Sequence, residues 1–373
     1  MIIEKIKKYD LILLITVLFL SSLGLSALYS IGTGRGGDAI QFFHKQLIFF
    51  AVLFPSAAIL SFIHYNFFRS TSAILYLISC ASLLAVLFFG DVIRGTRGWI
   101  SFGPITFQPV ELCKVSLILA LASYFSSHTK QVHQLRHILI SGMIAALPVG
   151  LVLLQPDIGS ASILFFIWCA MILVSRIQKK YIIGLFVVGM IATVCAWFFV
   201  LQDYQKDRII TFVNPTLDVR DRGYNVRQAM IAIGSGQMFG KGLGSGSQSQ
   251  LRFLPEAQTD FIFSVIAEEM GLFGVFLILA AWTLFFLRLF YLMKISHDDF
   301  SQFTLFGISM LFFAHVSINI GGNLGLLPLT GIVLPFLSYG GSALFMACAA
   351  IGIVQSIKLH TSSRSPIDTD LFS

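Results

Sequence analysis

Residues 11 to 31 read LILLITVLFLSSLGLSALYSI, an apolar run with no charged side chain. Crossing the hydrocarbon core of a bilayer as a helix takes about 20 such residues. Nine further apolar stretches follow along the chain, near residues 46–65, 72–90, 110–126, 138–154, 158–175, 181–201, 261–292, 303–322 and 338–357. The sequence therefore predicts an all-α polytopic membrane protein of about ten transmembrane helices, with residues 1–373 forming a single membrane domain.

The overall composition agrees with this prediction. Apolar residues make up 56% of the 373 residues and charged residues only 12%. That is too little polar surface to cover the two or three soluble domains that a chain of this length could form. The net charge of +7 is spread along the chain, without a zinc-finger or basic-helix pattern. Composition thus excludes a soluble enzyme, and it indicates membrane lipids and no nucleic acid as partners.

The distribution of Lys and Arg gives an orientation. An even number of spans puts both termini on one side, and placing them in the cytoplasm leaves thirteen Lys and Arg residues in the inner segments and four in the short outer loops. Positive charge is retained on the cytoplasmic side, so both termini are predicted to be cytoplasmic. Residues 91–109 and 202–260 then become extracytoplasmic loops, and residues 361–373 a short flexible cytoplasmic tail.

The first extracytoplasmic loop, 91–109, reads DVIRGTRGWISFGPITFQP. Apolar and polar residues alternate in 99–102 and in 105–107, on either side of Gly103-Pro104. This pattern predicts a small β-hairpin at the membrane interface, with Trp99 at the depth of the lipid headgroups. A plain interfacial loop anchored by its tryptophan is the alternative.

The second extracytoplasmic loop, 202–260, is the most polar part of the chain, and a connection of this length is usually functional or disordered. Residues 224–233 are typical of a short amphipathic helix, and 234–246 of a glycine-rich turn region. These glycines do not form a phosphate-binding P-loop, because Lys241 is followed by Gly242 instead of Ser or Thr.

Two charged residues lie inside the fourth apolar stretch. Glu111 and Lys114 are three residues apart, so they share a helix face and can pair. A charge at membrane depth costs about 2.5–3.5 kcal/mol on insertion scales and usually marks a cavity or pathway. A structural ion pair that locks two helices is the alternative. Asp157 begins the sixth stretch, where an acidic residue suits the positive helix terminus, so capping alone would explain it.

Carboxylates concentrate where the long outer loop enters the eighth stretch. Residues 253–269 read FLPEAQTDFIFSVIAEE, with Asp260 near the membrane surface and Glu268 and Glu269 about two turns deeper. This is more acid than the start of an apolar helix requires. Capping by Thr259 or Asp260 is the alternative to a catalytic role. The deeper pair must find partners inside the bundle.

The connection between the ninth and tenth stretches, 319–342, contains six glycines and two prolines. Irregular backbone near a membrane is tolerated only where protein or a cavity covers it, so this segment is predicted to fold back into the bundle. His315 and Asn319 share a helix face just before it, and hydrogen bonding between helices is their expected role. The sequence has no HExxH or CxxC motif, so it does not support a built-in metal site.

Four segments carry a resemblance to a known family: RGTRGWISFGPITFQPVELCK (94–114), LLQPDIGSA (153–161), DRGYNVRQAMIAIGSGQMFGKGLGSGSQSQLRFLPEAQTDFIFSVIAEEMG (221–271) and NIGGNLGLLPLTGIVLPFLSYGGS (319–342). In this order they resemble the signature blocks of the SEDS family of shape, elongation, division and sporulation proteins. The Leu-Pro-Leu-Thr-Gly-Ile run and the short cytoplasmic tail are more similar to the elongation type, RodA, than to the division type, FtsW.

The resemblance implies a ten-span peptidoglycan glycosyltransferase of the bacterial inner membrane. Its substrate would be lipid II, a polyprenyl-pyrophosphate-linked precursor that it polymerises into glycan strands during cell-wall elongation. Its partners would be a class B penicillin-binding protein that supplies transpeptidation and other proteins of the elongation complex. An FtsW-like septal polymerase and a flippase for lipid-linked sugars are the alternatives, and a scaffold that only activates a partner is a third.

The resemblance also assigns residues. Asp260 matches the acid of the Thr-Asp-Phe-Ile-Phe motif, which is the family's catalytic residue, and Glu111 and Lys114 match residues that line its central cavity. Asp157 and Arg97 are further cavity candidates by motif position. Two substrate-binding candidates lie beside the catalytic acid, namely Thr259 and Glu256.

The implied chemistry fits these residues. A sugar hydroxyl attacks an anomeric carbon whose leaving group is a lipid pyrophosphate, and one displacement inverts that carbon with a single carboxylate base. Asp260 would take the proton. Lys114, Arg97 or a divalent cation (Mg²⁺ or Mn²⁺) would neutralise the pyrophosphate. Gly98 departs from the family, which often carries a second basic residue there, so the role of an arginine pair falls to Arg97 alone.

Overall fold

The computed structural model describes residues 8–35, 39–93, 95–103, 105–128, 135–175 and 222–361, with single positions between 178 and 206. In chain order the elements are α1 (Leu11–Arg35), α2 (Ala39–Phe62), α3 (Tyr65–Phe89), β1 (Asp91–Ile93), β2 (Thr96–Phe102), β3 (Ile105–Phe107), α4 (Pro109–Ser127), α5 (Leu135–Leu154), α6 (Ile158–Val174), α7 (Arg222–Ser235), α8 (Ser247–Gln250), α9 (Ile262–Ile295), α10 (Asp299–Asn323) and α11 (Gly341–Thr361). Within the described residues, eight helices are long and apolar enough to span a membrane, and α6 is a shorter apolar helix.

This architecture confirms the predicted polytopic all-α membrane fold. The helices α1–α6 and α9–α11 correspond to nine of the ten predicted spans. The seventh predicted span, 181–201, lies outside the described residues apart from single positions, as do residues 362–373 of the predicted tail.

The helix α2 begins earlier than the sequence predicted, at Ala39 instead of residue 46. Gln46, the first residue of the predicted span, is therefore inside the helix, and it is buried in the bundle. Its amide nitrogen donates to the Ser338 carbonyl at 3.3 Å, and its amide oxygen accepts from the Gly340 backbone N–H at 3.2 Å. A polar residue with both groups bonded in this way is compatible with a transmembrane helix.

The predicted hairpin forms and is extended by a third strand. The strands β2 and β3 pair antiparallel, with Ser101 opposite Thr106. The added strand β1 pairs with the other edge of β2. The hairpin is tied to α11, because Ser342 Oγ accepts from the Gln108 backbone N–H at 3.0 Å. The headgroup depth of Trp99 stays a prediction.

The helix α9 is broken near its start, and the glycine-rich region fills the break. Gly271 adopts φ 65° and ψ −158°, a conformation that is not helical and that suits glycine. The Leu272 N–H donates to the Gln237 carbonyl at 2.8 Å, and the Phe273 N–H donates to the Met238 carbonyl at 3.1 Å. The backbone N–H groups of Lys241 and Gly242 donate to the carbonyls of residues 268 and 269, each at 3.0 Å. These four bonds replace those that the break removes from the helix.

The glycine-rich connection after α10 folds back into the bundle, as predicted. Leu334, Phe336 and Leu337 are all buried. The Phe336 ring stacks on Phe312 of α10 at 5.7 Å between centroids and lies against Trp282 of α9 at 6.2 Å. This packing holds the preceding residues, 329–333, along the wall of the cavity described next.

Candidate active site

A cavity of about 450 Å³ lies between the β-hairpin, the first turns of α4 and α6, the loop before α9 and the segment that folds back after α10. Its wall includes four carboxylates that come from three separate parts of the chain. Five of the predicted site residues line it, namely Glu111, Asp157, Glu256, Thr259 and Asp260. The fold therefore brings most of the sequence-derived candidates into one chamber.

The backbone of Asp260 is held from two sides. Its N–H donates to the Glu256 carbonyl at 3.1 Å. Its carbonyl accepts from the side-chain amides of Asn319 and Asn323, at 3.1 and 2.9 Å, one turn apart on α10. The helix α9 has Phe261 as its N-cap, without a side-chain cap bond, so neither Thr259 nor Asp260 caps it. Asn319 thus bonds the loop before α9 and the segment that follows α10, and not another helix as the sequence predicted.

The turn that presents Asp260 starts at a strained residue. Glu256 has φ 53°, in the left-handed region that residues other than glycine rarely adopt. Its carbonyl accepts from the Thr259 N–H as well, at 3.1 Å. The Thr259 carbonyl in turn accepts from Ser338 Oγ at 2.6 Å. Such strain persists only where surrounding contacts fix the backbone, and it clusters at functional sites.

Glu111 and Lys114 pair as the sequence predicted, and a third residue joins them. Lys114 Nζ lies 2.7 Å from Glu111 Oε1 and 3.2 Å from His315 Nε2 of α10, and the lysine is fully buried. An ammonium only donates, so Nε2 must accept, and the imidazole carries its proton on Nδ1. That nitrogen donates to the Val333 carbonyl at 3.2 Å. His315 is therefore neutral and fixed in one tautomer.

The contribution of His315 to the cavity was missed from the sequence. Its side chain lines the chamber together with Glu111, and the ammonium of Lys114 lies behind both. The available signal was a histidine on an apolar span four residues before Asn319, which indicated only hydrogen bonding between helices.

Asp157 caps a helix and lines the cavity at the same time. Its Oδ1 accepts from the Ser160 N–H at 3.0 Å, as an N-cap of α6 does, so the capping interpretation is confirmed. Its Oδ2 faces Gln108 Nε2 at 3.4 Å. Tyr339 is also in the cavity wall, and its hydroxyl can donate a hydrogen bond there.

Arg97 is not brought to the cavity. It is exposed on β2, and its guanidinium donates to the Leu87 carbonyl at 3.3 Å. The pairs Asp91–Trp99 and Val92–Arg97 leave Gly98 as an extra residue on β2. Such a bulge interrupts the strand alternation, so Arg97 does not share the orientation of Trp99, which lines the cavity.

The deeper carboxylates, Glu268 and Glu269, have partners away from the cavity. Glu268 Oε1 lies 2.9 Å from Lys241 Nζ, and Glu268 also accepts backbone N–H groups of α8. Glu269 Oε1 accepts from Ser30 Oγ at 2.5 Å and from Gln250 Nε2 at 3.1 Å. Both residues tie the glycine-rich region and α8 to the bundle.

The described residues hold no group of three or more His, Cys, Asp and Glu side chains that could bind a metal ion. The charge of Glu111 is moreover compensated by Lys114. Within the described residues, the side chains around the cavity therefore form no donor set for a divalent cation.

Comparison with known proteins places the chain in a family. The family model described as a cell cycle protein, which joins FtsW, RodA and SpoVE, matches residues 9–363. The peptidoglycan glycosyltransferase MrdB of Escherichia coli K12 is 37% identical over 292 residues, which cover 78% of each protein. The match therefore extends through both the bundle and the cavity.

Two solved structures share the fold. One chain, from work on the structural coordination of polymerization and crosslinking by a peptidoglycan synthase complex, matches with a TM-score of 0.82 and 28% identity, covering 95% of this chain and 99% of its own length. The rod shape determining protein RodA of Thermus thermophilus matches with a TM-score of 0.71 and 28% identity, over 94% and 96%. These matches do not support an FtsW-like assignment better than a RodA-like one. The chain belongs to the FtsW–RodA–SpoVE family, and it is a RodA-like peptidoglycan glycosyltransferase of the membrane.

Proposed function

We propose that this glycosyltransferase polymerises lipid II into glycan strands, with Asp260 as the general base. The observation that carries the proposal is that Asp260 lines the same cavity as Glu111 and His315, the two residues that hold the buried ammonium of Lys114. A base for the attacking hydroxyl thereby lies in the cavity whose wall covers the cation proposed for the leaving group.

The reaction is a single displacement at the anomeric carbon of the donor. The acceptor hydroxyl attacks, the bond to the lipid pyrophosphate breaks, and Asp260 takes the hydroxyl proton. One displacement inverts the anomeric carbon, and it needs a single carboxylate base, unlike a retaining site with its nucleophile and acid. General-base assistance of this kind contributes about 100- to 10,000-fold.

The departing pyrophosphate needs positive charge, and Lys114 is the proposed source. An ammonium has three donors, of which Glu111 and His315 take two; within the described residues the third has no partner. No arginine or lysine lines the cavity in the part of the chain that the structure describes, and Lys114 lies directly behind two residues of its wall, Glu111 and His315. Mg²⁺ or Mn²⁺ would enter the site only bound to the pyrophosphate of the substrate. No step of the proposed reaction depends on it.

The other substrate-binding roles follow from position. Glu256 and Thr259 lie in the turn that presents Asp260, and Asp157 lies at the start of α6 in the same cavity wall. They are proposed to bind the sugars of donor and acceptor through hydrogen bonds. Arg97 remains a candidate only for contact with the substrate outside the cavity, because its side chain is exposed on the hairpin.

The proposed partner is a class B penicillin-binding protein, within a complex for cell-wall elongation. The support is the likeness to a chain from a peptidoglycan synthase complex that couples polymerization with crosslinking. The distribution of Lys and Arg supports cytoplasmic termini, with the cavity on the outer side of the bacterial inner membrane.

An assay in detergent tests this function against a flippase. Purified chain, alone and with its penicillin-binding partner, is incubated with lipid II, and the products are separated by gel electrophoresis. A polymerase is expected to yield long glycan strands although no membrane separates two compartments. A flippase yields none, so the absence of polymer in both samples would contradict the proposal. Lipid II incubated with the partner alone is the control.

Replacing His315 by Leu is expected to lower the rate of polymerisation by about 10- to 100-fold. The change removes a hydrogen bond to a charged group, and such bonds contribute about 1.5–3 kcal/mol. Lys114 would then be held by Glu111 alone. Steady-state measurement of kcat and KM for lipid II checks the prediction, with the loss expected mainly in kcat if the ammonium acts on the leaving group.

The matched variant is His315→Gln, whose amide oxygen can accept from Lys114 at a similar reach. It is expected to retain most of the activity. Equal losses in the Leu and Gln variants would show that His315 matters for packing and not for holding the ammonium.

A further inference from the structure

The segment inserted into the break of α9, residues 236–243, exposes large apolar side chains. Phe239 at its tip is 82% exposed, and Met238 and Leu243 are 59% and 61% exposed. Its backbone is nevertheless fixed, because residues 237, 238, 241 and 242 all hydrogen-bond to α9. A well-anchored segment that presents apolar side chains outward has a surface suited to an apolar environment.

The single charge of this segment is directed toward the protein. Lys241 Nζ donates to Glu268 Oε1 and to Ser247 Oγ, each at 2.9 Å. The Glu268 side chain is fully buried and the Lys241 side chain is 30% exposed, so the charge of Lys241 is compensated by a carboxylate of the helix. The apolar tip therefore carries no charge that would hold it in water.

The length of α9 locates this segment relative to the membrane. Arg288, paired with Asp10, lies near the cytoplasmic end of the helix. Gly271 is seventeen residues earlier, about 25 Å along the axis. The hydrocarbon core is about 30 Å thick, so the break lies near its opposite edge. On the same helix, Leu272 and Phe276 are 55% and 64% exposed, which makes the surface of the segment continuous with the lipid-facing side of α9.

We infer that residues 236–243 form a re-entrant segment that lies in the leaflet nearer the cavity and contacts lipid acyl chains through Phe239, Met238 and Leu243. Irregular backbone at this depth requires its polar groups to be satisfied by protein. The four hydrogen bonds to the broken helix satisfy four of these groups, and the Gly240 N–H donates to the Gly236 carbonyl within the segment at 2.8 Å. The segment thus anchors the loop that leads to Asp260 in the membrane that holds the lipid-linked substrate.

Depth-dependent quenching tests this inference without reference to activity. Phe239→Cys is labelled with the fluorophore NBD and reconstituted into bilayers with acyl chains brominated at defined depths, and iodide serves as the aqueous quencher. Phe276→Cys, labelled in the same way, is the reference for a side chain that faces lipid. Arg227→Cys is the reference for a side chain in water, because Arg227 is charged and exposed. The unsubstituted chain, taken through the same labelling, gives the background of the native cysteines.

Brominated lipid is expected to quench the label at Phe239 as strongly as the label at Phe276. Iodide is expected to quench it about threefold less than the label at Arg227, because an inserted side chain lies several ångströms below the headgroups. Lipid quenching at Phe276 without quenching at Phe239 would overturn the inference. Strong iodide quenching would then place the tip in water, and weak quenching by both agents would place it against another protein surface.

Discussion

The variant Asp260→Asn is expected to polymerise lipid II about 100- to 10,000-fold more slowly than the unsubstituted chain, because an amide cannot accept the acceptor's hydroxyl proton. The substitution preserves the size of the side chain. Its backbone groups bond Glu256, Asn319 and Asn323, and the substitution leaves these three bonds in place. We therefore expect the variant to fold and insert normally, and to lose activity mainly in kcat, measured as glycan formed per unit time at saturating lipid II.

A second carboxylate supplies the matched control. Asp298 caps α10 by accepting from the Ser301 N–H at 3.0 Å, and it does not line the cavity. Asn caps helices about as well as Asp, so Asp298→Asn removes one negative charge without loss of stability or activity. Near-normal polymer yield from folded Asp260→Asn would remove Asp260 from the mechanism.

Much of the site could be predicted from the sequence because charged residues are rare in apolar spans. Glu111 and Lys114 are conspicuous for that reason, and their spacing of three fixes a local contact that the structure contains. The family resemblance identified Asp260, but only the fold shows that it shares a chamber with Glu111. Local spacing gives contacts within one helix and says nothing about which helices meet.

The features that the sequence missed depend on contacts between distant segments. His315 reaches Lys114 across 201 residues, and the hydrogen-bond partners of Gln46 lie 292 and 294 residues away. Arg97 was expected in the cavity, but one bulged residue redirects its side chain. In each case the local sequence identified a polar side chain, but contacts with other segments decide which way that side chain points.

The glycine-rich region shows the same limit at the level of the backbone. The sequence indicated turns in 234–246, and a helix start near 261. It could not indicate that the two segments share hydrogen bonds, because the break at Gly271 exposes groups that only an inserted segment can satisfy. A glycine inside a long apolar helix was the one local signal.

Breaking the buried ion pair is expected to have the largest effect on stability. Replacing Lys114 by Met leaves the Glu111 carboxylate without its cation inside the bundle, and removal of one partner of a buried pair costs about 3–5 kcal/mol. Glu111 is only 4% exposed, so water cannot replace the lost partner easily. Reversible unfolding in mixed micelles measures the free energy of unfolding, and polymerisation of lipid II measures activity on the same preparation.

The double variant Glu111→Gln, Lys114→Met separates stability from catalysis. It removes both charges while roughly keeping the volume of both side chains, and replacing a whole buried pair is often neutral or stabilising. We expect the double variant to regain most of the stability that Lys114→Met loses. Polymerisation should remain as low as in the single variant, because no ammonium is left beside the cavity to neutralise the pyrophosphate. Recovery of activity together with stability would mean that Glu111 and Lys114 only lock the helices, and that the charge on the leaving group is met by another residue or ion.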